Sequence, residues 1–265
     1  MTVHYTLITG ASAGIGEALA REYARRGRPL ILLARREDRL KQLADSLRAH
    51  VPVEILAADL ADPSAPERIV ETLKHRGLEV EGLVNNAGYG LPGAFHVPSW
   101  DQHARFLQVM VTSVCELSWR LLPAMQERGR GEILNVASLA GHVPGSAGHT
   151  LYAAAKAFMI KFSESLALEN AERGVRVCAL CPGFTYSEFH DITGTRPQVS
   201  KMPKWMWMTA EDVAREGLDA LDSGKVVHIT GRANRLIKAV TQLLPDRWAL
   251  RLVQKRSRDF RSLDG

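Results

Sequence analysis

The chain has 265 residues, which places it near the upper limit of what a single hydrophobic core supports. Its composition, with 46% hydrophobic and 24% charged residues, 21 Gly and 12 Pro, excludes collagen-like, low-complexity and disordered classes. No apolar run approaches the roughly 18 residues of a membrane-spanning helix, and residues 1–5 lead into a strand-like run without a basic leader region. We therefore expect a cytoplasmic protein.

The net charge of +5 is concentrated near the C-terminus. Between Arg232 and Arg261 nine basic residues stand against Asp246 and Asp259, whereas the rest of the chain holds 25 basic and 27 acidic residues. A nucleic-acid-binding protein would instead set its Lys and Arg residues among aromatic residues or on a recognition motif in the body of the chain. We therefore expect no nucleic-acid partner.

Seven short β-rich runs alternate with stretches of helical periodicity. They lie at residues 5–9, 29–34, 53–58, 82–86, 132–137, 175–180 and 226–230. Because these runs are continuously apolar rather than alternating, helices should cover both faces of the sheet, which is typical of parallel strands. The pattern predicts a single α/β domain with a doubly wound, seven-stranded parallel sheet of Rossmann type. Helical stripes such as Leu40, Leu43 and Leu47 should face it.

Two of the three cysteines, Cys178 and Cys181, form a C-x-x-C sequence within the apolar run VRVCALC. In a strand, residues three apart point to opposite faces, so the two thiols should not meet. We predict buried thiols rather than a metal or redox pair.

A glycine-rich segment follows the first predicted strand and opens a helical stretch. It comprises Gly10, Ser12, Ala13, Gly14, Ile15 and Gly16 in the sequence TGASAGIG. Such a turn lets backbone N–H groups approach a pyrophosphate, whose negative charge the helix dipole favours. The segment therefore predicts a dinucleotide site, although its spacing is G-x3-G-x-G instead of G-x-G-x-x-G.

Residues 10–14 also satisfy the G-x-S-x-G nucleophile elbow of hydrolases. A hydrolase of that kind needs an earlier strand-to-helix loop for its oxyanion hole, and only nine residues precede Gly10. The position of the motif therefore favours the dinucleotide interpretation.

The second predicted strand ends at Ala34, and Arg35 and Arg36 follow it. A dinucleotide fold that selects NAD places an Asp or Glu here for the ribose 2′-OH, whereas an arginine pairs with the 2′-phosphate of NADP. We predict NADP(H), with Arg35 as the phosphate ligand and Arg36 in support. The alternative is that both are solvated residues at the start of the next helix.

Tyr152 and Lys156 stand four residues apart at the start of a predicted helix, so their side chains share one face. A cation near the phenol should lower the pKa of Tyr152, which suits it for proton transfer to or from a carbonyl or alcohol oxygen. Ser138 closes the fifth predicted strand, at the carboxyl edge where open α/β sheets bind ligands. We predict that these three residues form one catalytic set.

Together these motifs resemble the short-chain dehydrogenase/reductase family, over roughly residues 5–231. The resemblance implies an oxidoreductase in which Tyr152 is the general acid/base, Ser138 binds the carbonyl and Lys156 holds the nicotinamide ribose. With NADP(H) predicted from Arg35, we expect reduction of a ketone or aldehyde, because cellular NADP pools are generally reduced. The resemblance also implies homodimers or homotetramers. The further cofactor contacts that it implies are Asp59 and Leu60 after strand three, Asn86, Ala87 and Gly88 of the NNAG sequence, Pro182 and Gly183 after strand six, and Thr185 and Ser187.

One residue departs from the family pattern. Met110 occupies the position of an Asn that usually anchors a proton-relay water, and no Asn occurs between Asn86 and Asn135. Either a neighbour such as Ser113 holds the water or the relay is weakened. A second hypothesis follows, namely a regulatory or scaffold protein that binds NADPH but has lost catalytic power.

Residues 183–208 are predicted to form a substrate loop. Within it Trp205, Met206, Trp207 and Met208 either cover an apolar substrate as a lid or anchor the loop. The spacing of His142, His149 and His190 matches no metal site, so we expect none.

Residues 232–265 are predicted to extend the catalytic domain, residues 1–231, with a basic amphipathic helix. Its apolar residues Leu236, Val240 and Leu243 have helical spacing. The helix would either lie on an anionic membrane surface or cover the protein's own core or a partner subunit. The apolar loop and the basic extension together favour a lipid-like carbonyl substrate, such as a long 3-oxoacyl chain or a steroid.

Overall fold

A seven-stranded parallel sheet lies at the centre of the molecule. The computed structural model describes residues 2–91, 93–148, 150–186, 203–245 and 247–251. The described residues form nine strands, of which β7 and β8 lie outside the large sheet. The strands are β1 (His4–Thr9), β2 (Leu30–Ala34), β3 (Val53–Ala57), β4 (Glu79–Asn85), β5 (Gly131–Val136), β6 (Val175–Cys181), β7 (Phe184–Tyr186), β8 (Trp207–Thr209) and β9 (Val227–Ile229).

The order of the strands in the large sheet is β3-β2-β1-β4-β5-β6-β9, and every neighbouring pair is parallel. The order reverses between β1 and β4, which creates the crevice where doubly wound sheets bind ligands. All five residues of β2 are buried, as expected for a strand covered on both faces. The predicted doubly wound α/β fold is thus confirmed.

Eight helices surround the sheet. They are α1 (Gly14–Arg25), α2 (Glu37–Leu47), α3 (Ala65–His75), α4 (Trp100–Leu107), α5 (Ser113–Glu127), α6 (Thr150–Glu169), α7 (Ala210–Asp222) and α8 (Arg232–Leu243) in the described part of the chain. Helices α1, α2 and α7 pack on one face of the sheet, and α3, α5 and α6 on the other. No helix among the described residues is both long and apolar enough to span a bilayer.

The helical stripe predicted in α2 is confirmed, since Leu40, Leu43 and Leu47 are all buried against the sheet. Helix α6 carries both buried and exposed apolar side chains. Leu166 is buried, whereas Phe158, two turns earlier, is exposed and stacks on Phe162 with ring centroids 5.9 Å apart.

The predicted substrate loop contains regular structure that the sequence did not indicate. Strands β7 and β8 pair in parallel as a separate two-stranded sheet, and a 3₁₀ turn, Lys204–Met206, precedes β8. Strands of three residues are too short to carry a recognisable period, so they escape a sequence reading. Residues 187–202, with Ser187 and His190, lie outside the described residues, as does His149.

The cysteine prediction is also confirmed. Cys178 and Cys181 are both fully buried free thiols, and they belong to different core clusters on the two sides of the sheet. Burial raises the pKa of each to about 12, which keeps both protonated near neutral pH.

Candidate active site

The glycine segment forms a tight turn between β1 and α1, in which three positions have no room for a side chain or need a left-handed backbone. Gly10 has φ +67°, and a Cβ there would lie 2.8 Å from Ala87 Cα. A Cβ at Gly16 would overlap the Gly10 carbonyl, and Gly14 begins α1 with φ +57°. The turn therefore brings bare backbone to the helix N-terminus, which fits the pyrophosphate of a dinucleotide cofactor.

A side-chain clamp fixes this turn to the end of β4. Thr9 Oγ1 donates to Val84 O at 3.1 Å and accepts from the backbone N–H groups of Asn86 and Ala87, each at 3.0 Å. In return, Asn86 Nδ2 donates to Thr9 O at 3.0 Å and Gly10 O at 3.2 Å. In the sequence, the only signal for Thr9 is its place directly before the glycine turn.

The two arginines after β2 occupy different surroundings. Arg36 is half-buried, and its guanidinium donates to Ser12 Oγ in the glycine turn, from Nη2 at 3.1 Å and from Nε at 3.3 Å. Arg35 is exposed, and together with Arg105 it acts electrostatically on the phenol of Tyr89, whose pKa burial raises. Both predicted cations therefore lie at the carboxyl edge, beside the turn that would hold the phosphates.

Asp59 and Leu60 follow β3 and border the same crevice. Asp59 Oδ1 accepts from Ala61 N at 3.0 Å, and Arg105 Nη2 lies 3.3 Å from Asp59 Oδ2. Arg105 is a site residue without a sequence signal, because nothing in the sequence of α4 distinguishes it from other surface arginines. Ser113 Oγ donates to Leu60 O at 2.9 Å.

The three predicted catalytic residues converge where β5 ends and α6 begins. Ser138 caps the 3₁₀ turn Leu139–Gly141, accepting from Ala140 N at 3.1 Å, and it is hydrogen-bonded to Tyr152. Lys156 lies one turn along α6, with its Nζ 5.6 Å from the centroid of the Tyr152 ring. The turn packs so closely on α6 that a Cβ at Gly141 would lie 2.7 Å from the Lys156 carbonyl carbon.

The protonation states of this set differ from the expectation. Burial raises the pKa of Tyr152 to about 12, although the hydrogen bond from Ser138 acts in the opposite direction. Lys156 is buried, donates to Val136 O at 2.6 Å, and has its pKa lowered by burial to about 8. The direction of the Tyr152 pKa shift is thus opposite to the predicted lowering, because desolvation is its largest cause and Lys156 Nζ is turned towards Val136 O in β5.

Met110 lies under Tyr152 within a π-helical turn, Gln108–Thr112, between α4 and α5. It is fully buried with Phe106 and Ala155, and a Cβ at Gly88 would lie 2.8 Å from its sulfur. Gly88 thus provides the room that the thioether occupies. The proposed substitute Ser113 commits its donor to Leu60 O and accepts from Gln108 Nε2 at 3.2 Å.

The Pro182-Gly183 loop after β6 is held from two sides. Pro182 O accepts from Leu139 N at 2.8 Å, which ties the loop to the turn after Ser138. A Cβ at Gly183 would overlap the buried amide of Asn234 at the start of α8. Thr185, which is also buried, donates to Gly183 O at 3.2 Å.

The four apolar residues before α7 divide between the two predicted roles. Met206 is buried, and Met208 packs on the core. Trp207 stacks on Tyr186 with ring centroids 4.6 Å apart, so it links β8 to β7. These three anchor the loop, whereas Trp205 is exposed.

An apolar pocket opens beside Tyr152. Large apolar side chains form most of its wall, namely Leu91 and Phe95 of the β4–α4 connection, Phe106 of α4 and Leu151 of α6. His103 also lines it, and its Nε2 donates to Phe95 O at 2.8 Å. The lining of this pocket is therefore mostly apolar, and it includes Tyr152 itself.

Comparison with known proteins agrees with this site. A sulfoacetaldehyde reductase from Chromohalobacter salexigens is 35% identical over 215 residues, 79% of this chain and 84% of the relative. A very-long-chain 3-oxoacyl-CoA reductase from Anas platyrhynchos is 31% identical over 265 residues, 97% of this chain and 81% of the relative.

Among solved structures, a short-chain dehydrogenase from Sphingobium yanoikuyae in complex with NADPH is similar, with 31% identity and a TM-score of 0.80. The match covers 94% of this chain and 95% of that one. The family model described as short chain dehydrogenase matches residues 4–196, from β1 through the catalytic set and into the substrate loop. With the glycine turn, Ser138, Tyr152 and Lys156 in one crevice, this match shows that the chain belongs to the short-chain dehydrogenase/reductase family of oxidoreductases.

Proposed function

We propose that this protein is an NADP(H)-dependent reductase that converts a ketone or aldehyde to an alcohol. The observation that carries the proposal is the convergence of Ser138, Tyr152 and Lys156 beside the glycine turn at the switch point of the sheet. The same convergence supports Tyr152 as the general acid and Ser138 as the hydroxyl that binds the carbonyl oxygen. When bound, a reduced nicotinamide supplies the hydride for the carbonyl carbon.

The protonation state of Tyr152 favours the reductive direction. With its pKa raised to about 12 by burial, the phenol carries its proton at neutral pH and can give it from Oη to the carbonyl oxygen. Ser138 is already hydrogen-bonded to Tyr152, so one substrate oxygen can reach both hydroxyls. Lys156, with a pKa of about 8, is mostly cationic at neutral pH and would bind the nicotinamide ribose.

The surroundings of the glycine turn support NADP(H) over NAD(H). Arg36 is already fixed on Ser12, and Arg35 stands next to it with its guanidinium exposed. No carboxylate residue occupies either position at the end of β2, where NAD-selective folds bind the ribose hydroxyls. The NADPH complex of the Sphingobium yanoikuyae relative supports the same choice.

We propose a lipid-like carbonyl compound as the substrate class, such as a long 3-oxoacyl chain or a steroid. The apolar lining of the pocket beside Tyr152, with Phe95, Phe106 and Leu151, supports this class. The relatives cover both extremes, since one is named for a small sulfonated aldehyde and another for very long acyl chains. A test of the substrate class should therefore include the small sulfonated aldehyde, because a preference for it would contradict a lipid-like substrate.

The test is NADPH consumption by the full-length protein with short and long ketones and aldehydes, including sulfoacetaldehyde, with NADH as the matched cofactor. We expect turnover with NADPH that increases with the apolar size of the carbonyl compound. Tyr152→Phe serves as the inactive control in the same assay. Equal rates with NADH, or a preference for sulfoacetaldehyde, would contradict the cofactor or the substrate part of the proposal.

A second candidate function, a weakened NADPH-binding regulatory or scaffold protein, rests on Met110. Its thioether is a poor hydrogen-bond acceptor, and it lies in an apolar cluster directly under Tyr152. Tight NADPH binding without turnover on every carbonyl compound of the panel would favour this candidate. The intact set of Ser138, Tyr152 and Lys156 is the reason that we place reduction first.

Homodimer or homotetramer assembly and a cytoplasmic location complete the proposal. Trp119 on α5 and Leu168 on α6 are large apolar side chains that remain exposed in the single chain, as side chains at a subunit interface would be. Sedimentation equilibrium of the full-length protein tests the assembly, and a strictly monomeric protein would contradict it.

A further inference from the structure

Helix α8 presents an apolar stripe that the described part of the chain leaves uncovered. Leu236, Val240 and Leu243 lie on one face because they are separated by four and three residues. Their exposed fractions are 66%, 44% and 85%, so they do not cover the core of their own domain. A surface helix normally turns such a stripe inwards, and its exposure indicates a surface that contacts another body.

The stripe is not a result of a loosely attached helix, because the first turn of α8 is fixed on the domain. Asn234 is buried, and its Nδ2 donates to Thr230 O at 2.8 Å. Glu216 Oε2 accepts from Gly231 N at 3.1 Å and lies 3.6 Å from Arg235 Nη1. These contacts fix one face of α8 on its own domain, and the stripe lies on the opposite face of the helix.

Basic residues border the stripe. Arg232 is exposed one turn before Leu236 on the same face, and Arg247 and Arg251 are exposed in the helical turn that follows Pro245. Trp248 and Leu250, in the same turn, are also exposed. Across 232–251 the sequence has five basic residues and a single acidic one, Asp246.

We propose that α8 and the turn 247–251 bind the surface of an anionic lipid bilayer. Leu236, Val240 and Leu243 would enter the boundary between headgroups and acyl chains, while the bordering arginines pair with lipid phosphates. Charge decides between this occupant and a second copy of the chain. A two-fold contact would place one basic extension against another, whereas anionic headgroups complement it.

The contact has a geometric consequence for the catalytic domain. Helix α8 contacts the 3₁₀ turn Lys204–Met206, the part of the predicted substrate loop in which Trp205 is exposed. A bilayer bound to α8 therefore lies next to the segment that leads to the candidate active site. The membrane contact itself stands on the surface of α8 and does not depend on the proposed activity.

The test is cosedimentation of the full-length protein with vesicles of phosphatidylcholine and phosphatidylglycerol in a ratio of about 7:3, against pure phosphatidylcholine. We expect the partition coefficient to be about tenfold higher on the anionic vesicles and to fall as NaCl rises from about 0.1 to about 0.5 M. A Leu236→Ser/Leu243→Ser variant should lose about tenfold in partitioning.

Val3→Ser is the matched control, because Val3 is also an exposed apolar residue, at 40%, and lies in the segment before β1. It should partition as the wild type does, and all three proteins should have the same melting temperature because only exposed side chains change. Wild-type binding that is equal on neutral vesicles, absent on anionic ones, or unchanged in the double variant overturns the proposal. So does a double variant that dissociates a wild-type oligomer in sedimentation equilibrium, since the stripe would then be a subunit interface.

Discussion

The two edges of the central sheet treat their charged groups in opposite ways. At the amino edge, Arg28 Nη1 donates to both oxygens of buried Glu132, at 2.8 and 2.9 Å, and Arg28 Nη2 donates to Asp222 at 2.6 Å. Arg26 and Arg176 join the same network, on Asp222 and Glu132. Burial acts to lower the pKa of Arg28, but Glu132 and Asp222 outweigh it, so its pKa is raised and the charged form is stabilised.

At the carboxyl edge, by contrast, burial determines the direction of the pKa shifts. The pKa of Lys156 falls to about 8, and that of Tyr152 rises to about 12. Two buried oxygens, Thr230 Oγ1 and Asn234 Oδ1, have no hydrogen-bond partner among the described residues. The charges of the Arg28 network at the amino edge are thus satisfied within the chain, whereas desolvation is the largest cause of the pKa shifts of Tyr152 and Lys156 at the carboxyl edge.

We expect the largest effect from the substitution that removes the proton donor at the carboxyl edge. Tyr152→Phe keeps the ring among Phe106 and Met110 but has no transferable proton, so turnover should fall by about a thousandfold. Binding of NADPH, measured by fluorescence titration, should change by less than about threefold, because the phenol contributes mainly to the chemical step. A variant that keeps more than about a tenth of the wild-type turnover would remove Tyr152 from the mechanism.

The second prediction breaks the amino edge and leaves the carboxyl edge intact. Glu132→Ala leaves Arg28 and Arg176 without their buried partner, so the free energy of unfolding should fall by about 2–3 kcal/mol in urea titrations. Glu67→Ala removes an exposed partner of Arg120 and should cost less than about 0.5 kcal/mol. Turnover per folded molecule should stay unchanged in both. Loss of turnover in folded Glu132→Ala would show that the edges are not independent.

The third prediction concerns the cofactor choice. If Arg35 binds the 2′-phosphate, Arg35→Asp should weaken NADPH binding by about 1.5–3 kcal/mol and shift the preference towards NADH. Arg48→Asp, with the same charge change at the far end of α2, should leave the ratio of NADPH to NADH affinity as it is. An unchanged ratio in Arg35→Asp, with a changed one in Arg36→Asp, would assign the phosphate to Arg36 alone.

The fourth prediction tests the desolvation of Lys156 through pH. Between pH 8 and 10.5 the unfolded chain holds a proton that folded Lys156 has released, so the free energy of unfolding rises with pH in that window. From pH 7.5 to 9.5, the stability of wild type relative to Lys156→Met should rise by about 2 kcal/mol in the absence of cofactor. The subtraction removes other titrating groups, such as the cysteines. A flat difference would mean that Lys156 is well solvated.

Much of the molecule could be predicted from the sequence, because the responsible signals are local. Continuous apolar runs indicated the parallel sheet, and the glycines around Gly14 indicated the turn into α1. The positions of Ser138, Tyr152 and Lys156 followed from the strand and helix that carry them. Each of these predictions needed only the spacing of residues within one element or their position at the end of one strand.

What could not be predicted depends on groups far apart in the chain. The clamp between Thr9 and Asn86 spans 77 positions, and the network from Arg28 to Glu132 spans 104. The direction of the Tyr152 pKa shift was predicted wrongly, because the sequence shows that Lys156 is near but not how far each side chain is removed from water. Spacing on a helix tells which charges are near, and only the fold tells how much water they have lost.

The last prediction, with the smallest expected effect, adds a polar group to the apolar part of the carboxyl edge. Met110 is fully buried between Phe106 and Ala155, so the amide of Met110→Asn must find its partners there or cost about 1–3 kcal/mol of stability. Its carbonyl can hold a water that a thioether cannot, and we expect turnover to rise by about threefold if proton return limits the wild type.

Met110→Leu is the matched control, since it keeps the apolar volume and should change neither turnover nor stability by much. Ser113→Ala should lower stability or NADPH affinity through the lost bond to Leu60 O, and not the proton-transfer rate. Solvent isotope effects on turnover separate these cases, because only a change in the proton route alters them. A folded Met110→Asn variant with unchanged turnover and isotope effect would show that Tyr152 regains its proton through the open side of the site.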